Sequence, residues 1–171
     1  MQFLKIVGVC VLAAIIYGIV HDQITARICV EYFTVFHPPI LGGTQSPTLL
    51  AFGWGVIATW WVGVLLGIPL AVIARVGSWP RLAASDLFPM IGTLLIVMAI
   101  CASVSGVAGY YRGVVPPQLR ELIPAELERR FLADWWAHNA SYGSGFLGGM
   151  VLWVVALRKR VKASRLELKE E

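Results

Sequence analysis

The sequence predicts an all-α fold, in which four transmembrane helices form a four-helix bundle with a polar, partly helical outer cap. Three observations support this class. Hydrophobic residues make up 58% of the 171 residues and charged residues only 14%, against roughly 45–50% and 25% in soluble globular domains. Four apolar segments approach the ~20 residues that cross a bilayer core. Polar residues gather in two long connections. Such a composition excludes a water-soluble globular enzyme of this size and a disordered chain.

The apolar segments define a single four-span domain, 1–171, that ends in a basic tail, 158–171. Lys5 is the only charged residue within a span, and a lysine near a helix end can extend to the interface. The first span also has features of a signal peptide, but it lacks a small-residue cleavage site followed by a polar mature start. We therefore expect it to be retained. The four predicted spans are 3–20, 48–74, 88–111 and 140–157.

The distribution of basic residues predicts the orientation of the spans. One side carries nine Lys and Arg residues in Lys5, the connection 75–87 and the tail, and the other side carries five. Cytoplasmic segments are the ones enriched in Lys and Arg. We therefore expect both termini in the cytoplasm, a solvated basic tail, and outward-facing first (21–47) and second (112–139) connections. The net charge of +4 then indicates topology and attraction to anionic lipid, and it requires no nucleic acid.

Glycines spaced four residues apart predict close helix packing. Gly63 and Gly67 lie in the second span, and Gly145 and Gly149 lie in the fourth. Transmembrane helices associate where small residues let their backbones approach. These stripes favour packing inside one bundle, and a homo-oligomer is the open alternative.

The two outward connections contain the chain's three histidines. The first connection could continue the first helix past the membrane surface until Pro38 ends it. In the second, Pro124 suits the first position of a helix that should run through Asn139 into the fourth span. On that helix Asp134 and His138 are neighbours in adjacent turns. A polar stripe therefore leads into the small-residue stripe of the fourth span.

Imidazoles and carboxylates are ligands for zinc, iron, manganese and copper. We expect a polar site that converges beneath the outer cap and could hold a divalent transition metal. The alternative is purely structural, because aspartate–histidine pairs also form where helix ends meet an interface. His37 joins the site only if the first connection folds back. The candidate ligands are His21, Asp22, Glu31, Asp134 and His138, with His37 in addition.

The leading function is that of a small integral membrane protein with this outward-facing polar or metal-binding site. One alternative is a metal-dependent hydrolase or oxidase at the membrane interface. Another is a non-catalytic subunit of a larger membrane complex. The expected partners are the lipid bilayer and either a membrane protein or a second copy of the chain, without nucleic acid.

Residues 21–39 read H-D-Q-I-T-A-R-I-C-V-E-Y-F-T-V-F-H-P-P. This segment resembles uncharacterised small bacterial integral membrane proteins that carry a similar H-D-Q…E-Y-F-T…H-P pattern. The resemblance implies a multi-pass protein of the bacterial inner membrane. It implies no activity and assigns no functional residues.

Overall fold

A computed structural model of the protein describes residues 1–170 and leaves Glu171, the last residue of the predicted tail, outside the described residues. The described chain is helical and contains no strand. Four helical segments are long and apolar enough to cross a membrane, namely Gln2–Ile28, Pro47–Arg75, Ala84–Arg112 and Glu128–Lys169. The predicted all-α bundle of four apolar helices is therefore confirmed.

The first span is longer than its apolar core. Helix α1 (Gln2–Ile28) has 27 residues and is about 40 Å long at ~1.5 Å per residue. Cys29 then adopts an extended conformation (φ −148°, ψ 95°) before the short helix α2 (Val30–Val35). The first helix does continue past residue 20, but a straight extension through to Pro38 is wrong. The break at Cys29 instead turns α2 back against the bundle.

The second span contains an interruption that hydrophobicity does not reveal. Helix α3 (Pro47–Ile57) and helix α4 (Trp60–Arg75) are separated at Ala58 and Thr59. The Thr59 hydroxyl donates a hydrogen bond to the carbonyl of Gly55, one turn earlier. Such a bond competes with the backbone ladder and bends helices.

Helix α5 (Phe88–Arg112) follows a 3-10 turn and has proline in its first turn, where the missing N–H costs nothing. Helix α6 (Glu128–Glu170) runs for 43 residues through the fourth span and the described part of the tail. It begins at Glu128, so the predicted start at Pro124 is wrong. Residues 124–127 form a turn instead, closed by a 2.9 Å hydrogen bond from the Leu127 N–H to the Pro124 carbonyl.

The bundle consists of two helical hairpins. Helix α1 packs along α3 and α4, and α5 packs along α6. The hairpins meet mainly where α4 contacts α6, whereas α1 and α5 touch only sparingly. In the first hairpin, a methyl group added at Gly63 would lie 2.5 Å from the Cα of Val11. At Gly67 the same group would lie 2.9 Å from the Cβ of Cys10. These glycines thus lie at a close approach of α4 to α1.

The glycines of the fourth span face side chains rather than a backbone. An added methyl at Gly145 would meet the terminal carbon of Met98 at 3.0 Å, and one at Gly149 would meet a methyl of Leu66 at 2.8 Å. Both glycines therefore lie against neighbouring helices within one copy of the chain.

The basic tail is not uniformly solvated as expected, because Arg160 is only 1% exposed. Its guanidinium donates to the carbonyls of Trp79 at 2.7 Å and Pro80 at 2.8 Å. It also donates to the carbonyls of Ile73 and Val76 near the end of α4. The last carbonyls of a helix have no partner within the helix. Arg160 therefore supplies hydrogen bonds to carbonyls near the end of α4 and links α6 to the connection between α4 and α5.

Candidate metal centre

Helices α1 and α6 bring three predicted ligands together inside the polar end of the bundle, the end at which the first and second connections lie. His21, Asp22 and His138 each offer one ligand atom, and these atoms all lie within 4.8 Å of one another. Asp22 is 6% exposed and His138 is 9% exposed. His21 lies seven residues before the end of α1, roughly 10 Å along the helix axis. The cluster is thus buried, but it lies near the end of the bundle.

The hydrogen bonds of His138 orient its ring. Its Nδ1 lies 2.8 Å from the carbonyl oxygen of Asp134, one turn earlier. A carbonyl only accepts, so Nδ1 carries the proton and donates. The other nitrogen, Nε2, faces the Asp22 carboxylate with a separation of 3.3 Å from Oδ1. Donation from one ring nitrogen to a backbone carbonyl is how metal-binding histidines are commonly held, because it leaves the second nitrogen to bind the ion.

His21 completes the cluster from the other side. Its ring meets the His138 ring edge to face, with centroids 4.6 Å apart, and it stacks on Tyr17 at 5.8 Å. Its Nε2 is buried and has no hydrogen-bonding partner among the described residues. A buried ring nitrogen without a partner is unfavourable, so this atom is suited to a ligand.

The spacing of the three ligand atoms is compatible with a single ion. Ligands at ~2.0–2.2 Å from a tetrahedral zinc lie roughly 3.3–3.5 Å apart. The 3.3 Å between Nε2 of His138 and Oδ1 of Asp22 agrees with that value. All three ligand atoms lie within 4.8 Å of one another, so shifts of about 1–1.5 Å would bring the whole set to that spacing.

Aromatic residues from α2 cover the cluster because the break at Cys29 turns this helix back. The Tyr32 ring stacks on His138 with centroids 4.6 Å apart, and the Phe33 ring lies 5.6 Å from it, edge to face. Burial raises the pKa of the Tyr32 phenol, and the nearby carboxylate of Asp134 raises it further. Tyr32 is therefore a neutral cover that helps to exclude water from the cluster.

His37 lies beside this cover rather than among the ligands. Its Nδ1 donates to the carbonyl of Tyr32 at 3.1 Å, and its ring stacks on Phe33 at 5.5 Å and tilts against Trp54 at 4.5 Å. Burial lowers the pKa of His37 below its usual value, although the bond to Tyr32 opposes this shift. The ring is therefore neutral at pH 7. The fold-back at Cys29 brings it much closer to His21 than the ~24 Å that a straight helix would impose.

Two predicted carboxylates also lie outside the group of three. Asp134 is fully buried, and neither of its side-chain oxygens has a hydrogen-bonding partner among the described residues. Glu31 accepts a hydrogen bond from the Cys29 thiol at 3.5 Å. Burial raises the pKa of that thiol to about 12, so it remains a protonated donor. The structure thus groups His21, Asp22 and His138, and places Glu31, Asp134 and His37 around them.

A cavity of about 100 Å³ adjoins the cluster within the bundle. Besides the three ligands it is lined by Tyr17 and Ser141, whose hydroxyls share a 2.8 Å hydrogen bond between α1 and α6. This volume is enough for a few water molecules or a small polar group. A ligand bound by the three residues would therefore have space on one side.

Several residues around the site were not predicted from the sequence. Tyr17 and Trp54 lie in apolar spans, where nothing in the local pattern distinguishes them from lipid-facing aromatics. The sequence does indicate a position for Tyr32 near the site, because this residue shares a helical face with His21 if α1 is extended. Only the packing of the helices reveals that these rings surround a polar cluster.

Comparisons of the chain with protein-family models, with curated proteins and with solved structures return no match. The resemblance of residues 21–39 to small bacterial membrane proteins stays a prediction.

Proposed function

We propose that this chain is an integral membrane protein that binds one divalent transition metal through His21, Asp22 and His138. The single observation behind this proposal is the orientation of His138. Its Nδ1 proton is donated to a carbonyl, while its Nε2 faces the carboxylate of Asp22 at 3.3 Å. In a neutral imidazole this nitrogen and the carboxylate oxygen are both acceptors, so a cation between them removes their repulsion.

The charge around the cluster supports a bound cation. Asp22 and Asp134 are both buried. Among the described side chains, His138 is the only basic group within 4 Å of either carboxylate, and it forms an ion pair with Asp22 only if its imidazole is protonated. Buried charges are unfavourable unless they are paired or coordinate a metal. A divalent ion would neutralise the Asp22 carboxylate, and two imidazoles with one carboxylate suit zinc, iron or manganese.

We place the site on the outer face of a bacterial inner membrane, with both termini in the cytoplasm. The excess of basic residues on the opposite side supports this orientation. The lipid bilayer is then the first partner of the protein, and the proposed role requires no nucleic acid. Assembly with a second copy or a larger membrane complex remains an alternative prediction, which co-purification of a stoichiometric partner would test.

Elemental analysis of the purified protein tests the metal site. The full chain is purified in detergent, equilibrated with Zn²⁺, Mn²⁺ or Fe²⁺, and freed of unbound ions. We expect about one ion per chain for the wild type. Asp22→Asn and His138→Gln should each lower the metal affinity by at least ~10-fold, because each removes one of three ligands.

Asp86→Asn is the matched control. Asp86 is exposed in the connection before α5, and its carboxylate accepts a 2.8 Å bond from the N–H of Ala83, which an asparagine oxygen can still accept. This variant should bind metal like the wild type. A wild-type protein that binds none of the three ions would refute the proposed metal site.

The cavity beside the cluster favours a second candidate, a metal-dependent hydrolase or oxidase at the membrane interface. Three protein ligands leave a coordination position open, as in catalytic zinc sites, and the cavity supplies space next to it. A bound metal would supply a Lewis acid there, while Tyr17 and Ser141 provide hydroxyls. Turnover of an ester lipid by the metal-loaded wild type, lost in Asp22→Asn, would establish this activity.

A further inference from the structure

A lateral groove runs between α1 and α5, which belong to different hairpins and make few contacts with each other. It has a volume of about 500 Å³, within the ~300–1,000 Å³ range of small-molecule sites. On α5 its lining extends from Ala99 to Tyr111, which spans roughly 18 Å at ~1.5 Å per residue. That length is more than half of the ~30 Å hydrocarbon core.

The groove is open to the hydrocarbon of the membrane. Its edges are formed by Val20 and Ile24 of α1 and by Val107 of α5, which are 57%, 60% and 60% exposed. Its floor is made of small residues, including Ala102 and Gly106. In a bilayer these exposed apolar side chains contact lipid chains. An apolar chain can therefore enter from the side without crossing water.

The groove also reaches the candidate metal centre. Tyr17 and His21 line both the groove and the internal cavity that contains Asp22 and His138. Tyr17 and His21 thus lie at the boundary that the groove shares with the cavity, and the Nε2 of His21 is buried without a hydrogen-bonding partner among the described residues. A ligand that fills the groove would therefore contact His21, one of the three proposed metal ligands.

We propose that the groove binds the alkyl chain of a single-chain lipid whose anionic oxygen head group occupies the open coordination position next to His21. The head-group contact rests on the metal site proposed above. The apolar lining selects a chain, and a divalent ion with three protein ligands selects an anionic oxygen. A helix from a second copy, about 10 Å across, would cover the groove, but it is too wide to pass beside His21 toward the ion, as a head group of a few atoms would do.

Photolabelling tests this proposal with palmitic acid that carries a diazirine on its chain. The probe is added to the zinc-loaded full chain in detergent, and labelled peptides are mapped by mass spectrometry. We expect label on residues 17–28 and 99–111. Excess palmitate and palmitoyl lysophosphatidate should compete, and their relative potency distinguishes a carboxylate from a phosphate head group. Hexadecanol, which has the same chain without the charge, should compete at least ~10-fold less well.

Two neighbouring positions on α5 provide a matched pair of variants. Ser103 lines the groove, whereas Val104 is exposed but outside its lining. Ser103→Phe should reduce labelling at least tenfold, and Val104→Phe should leave it unchanged. Val107→Phe narrows the groove from its edge and replaces Ser103→Phe if that variant does not fold. Metal content measured on the same samples should stay at the wild-type level in all three variants.

Several outcomes would overturn the proposal. Equal labelling of Ser103→Phe and Val104→Phe would show that the probe binds the lipid-facing surface at random. Equal competition by hexadecanol would exclude a head group at the metal. A shift of Ser103→Phe from dimer to monomer would assign the groove to a second copy. If the wild-type protein binds no metal but its groove is labelled, both the metal site and the head-group contact are refuted. If the wild-type protein binds metal but its groove is not labelled, only the lipid site is refuted.

Discussion

Replacing Gly63 with alanine should destabilise the protein because α4 approaches the backbone of α1 at this point. The added methyl would lie 2.5 Å from the Cα of Val11 and 2.8 Å from the carbonyl oxygen of Cys10, whereas ordinary contacts begin at 3.4 Å. The two backbones must therefore separate by about 0.9 Å. Backbone atoms cannot rotate away as a side-chain terminus can, so the strain spreads along the hairpin.

The expected loss follows from the cost of overpacking. Forcing extra methyl groups into a packed core costs typically about 1–3 kcal/mol. For a chain of this size each kcal/mol lowers the melting temperature by about 2–4 °C, so we expect a fall of roughly 2–12 °C. The higher helix propensity of alanine, worth up to ~1 kcal/mol, offsets part of this loss. Melting followed by the fluorescence of the seven tryptophans in detergent measures the shift.

Two further glycines provide controls for Gly63→Ala. Gly8 has no atom within 4 Å of an added methyl, so Gly8→Ala should melt at or slightly above the wild-type temperature. The methyl added in Gly149→Ala would meet only the side chain of Leu66, which can change rotamer, so its loss should be smaller than that of Gly63→Ala. If Gly63→Ala melts like Gly8→Ala, this glycine does not limit the approach of α4 to α1, and the packing argument is refuted.

Arg160→Lys should lower the melting temperature, because an ammonium group cannot replace a guanidinium that donates to four carbonyls. Arg158→Lys, on the exposed face, should leave the melting temperature unchanged. Equal melting temperatures for the two variants would show that Arg160 does not stabilise the end of α4. Iodoacetamide should leave Cys29 unmodified at pH 8, since the raised pKa of about 12 keeps the thiol protonated and only a thiolate reacts. As pH rises above about 9, Cys29 ionises in the unfolded chain before it does in the native protein, so the free energy of unfolding should fall. The same rise in pH should lower the free energy of unfolding of Cys29→Ala by less. A reporter fused after Glu171 should be active in the cytoplasm only, and periplasmic activity would reverse the proposed orientation.

The number of long apolar helices follows from local composition alone. A segment of about 20 apolar residues in hydrocarbon must satisfy every backbone N–H and C=O internally, and a helix does so without help from any other segment. Local composition is therefore enough to predict four helices. The merging of the second connection with the fourth span was also predictable from local sequence, because no proline interrupts residues 128–157.

Which polar groups meet depends on how the helices pack. Asp22 and His138 lie far apart in the chain, and their contact depends on the rotation of α1 and α6 about their axes and on the small residues that let the helices approach. The same applies to Arg160, whose burial depends on the position of the carbonyls at the end of α4. The fold-back at Cys29, which covers His138 with Tyr32, arises from packing against the bundle. Local periodicity specifies a helix and its faces, but only packing specifies what each face contacts.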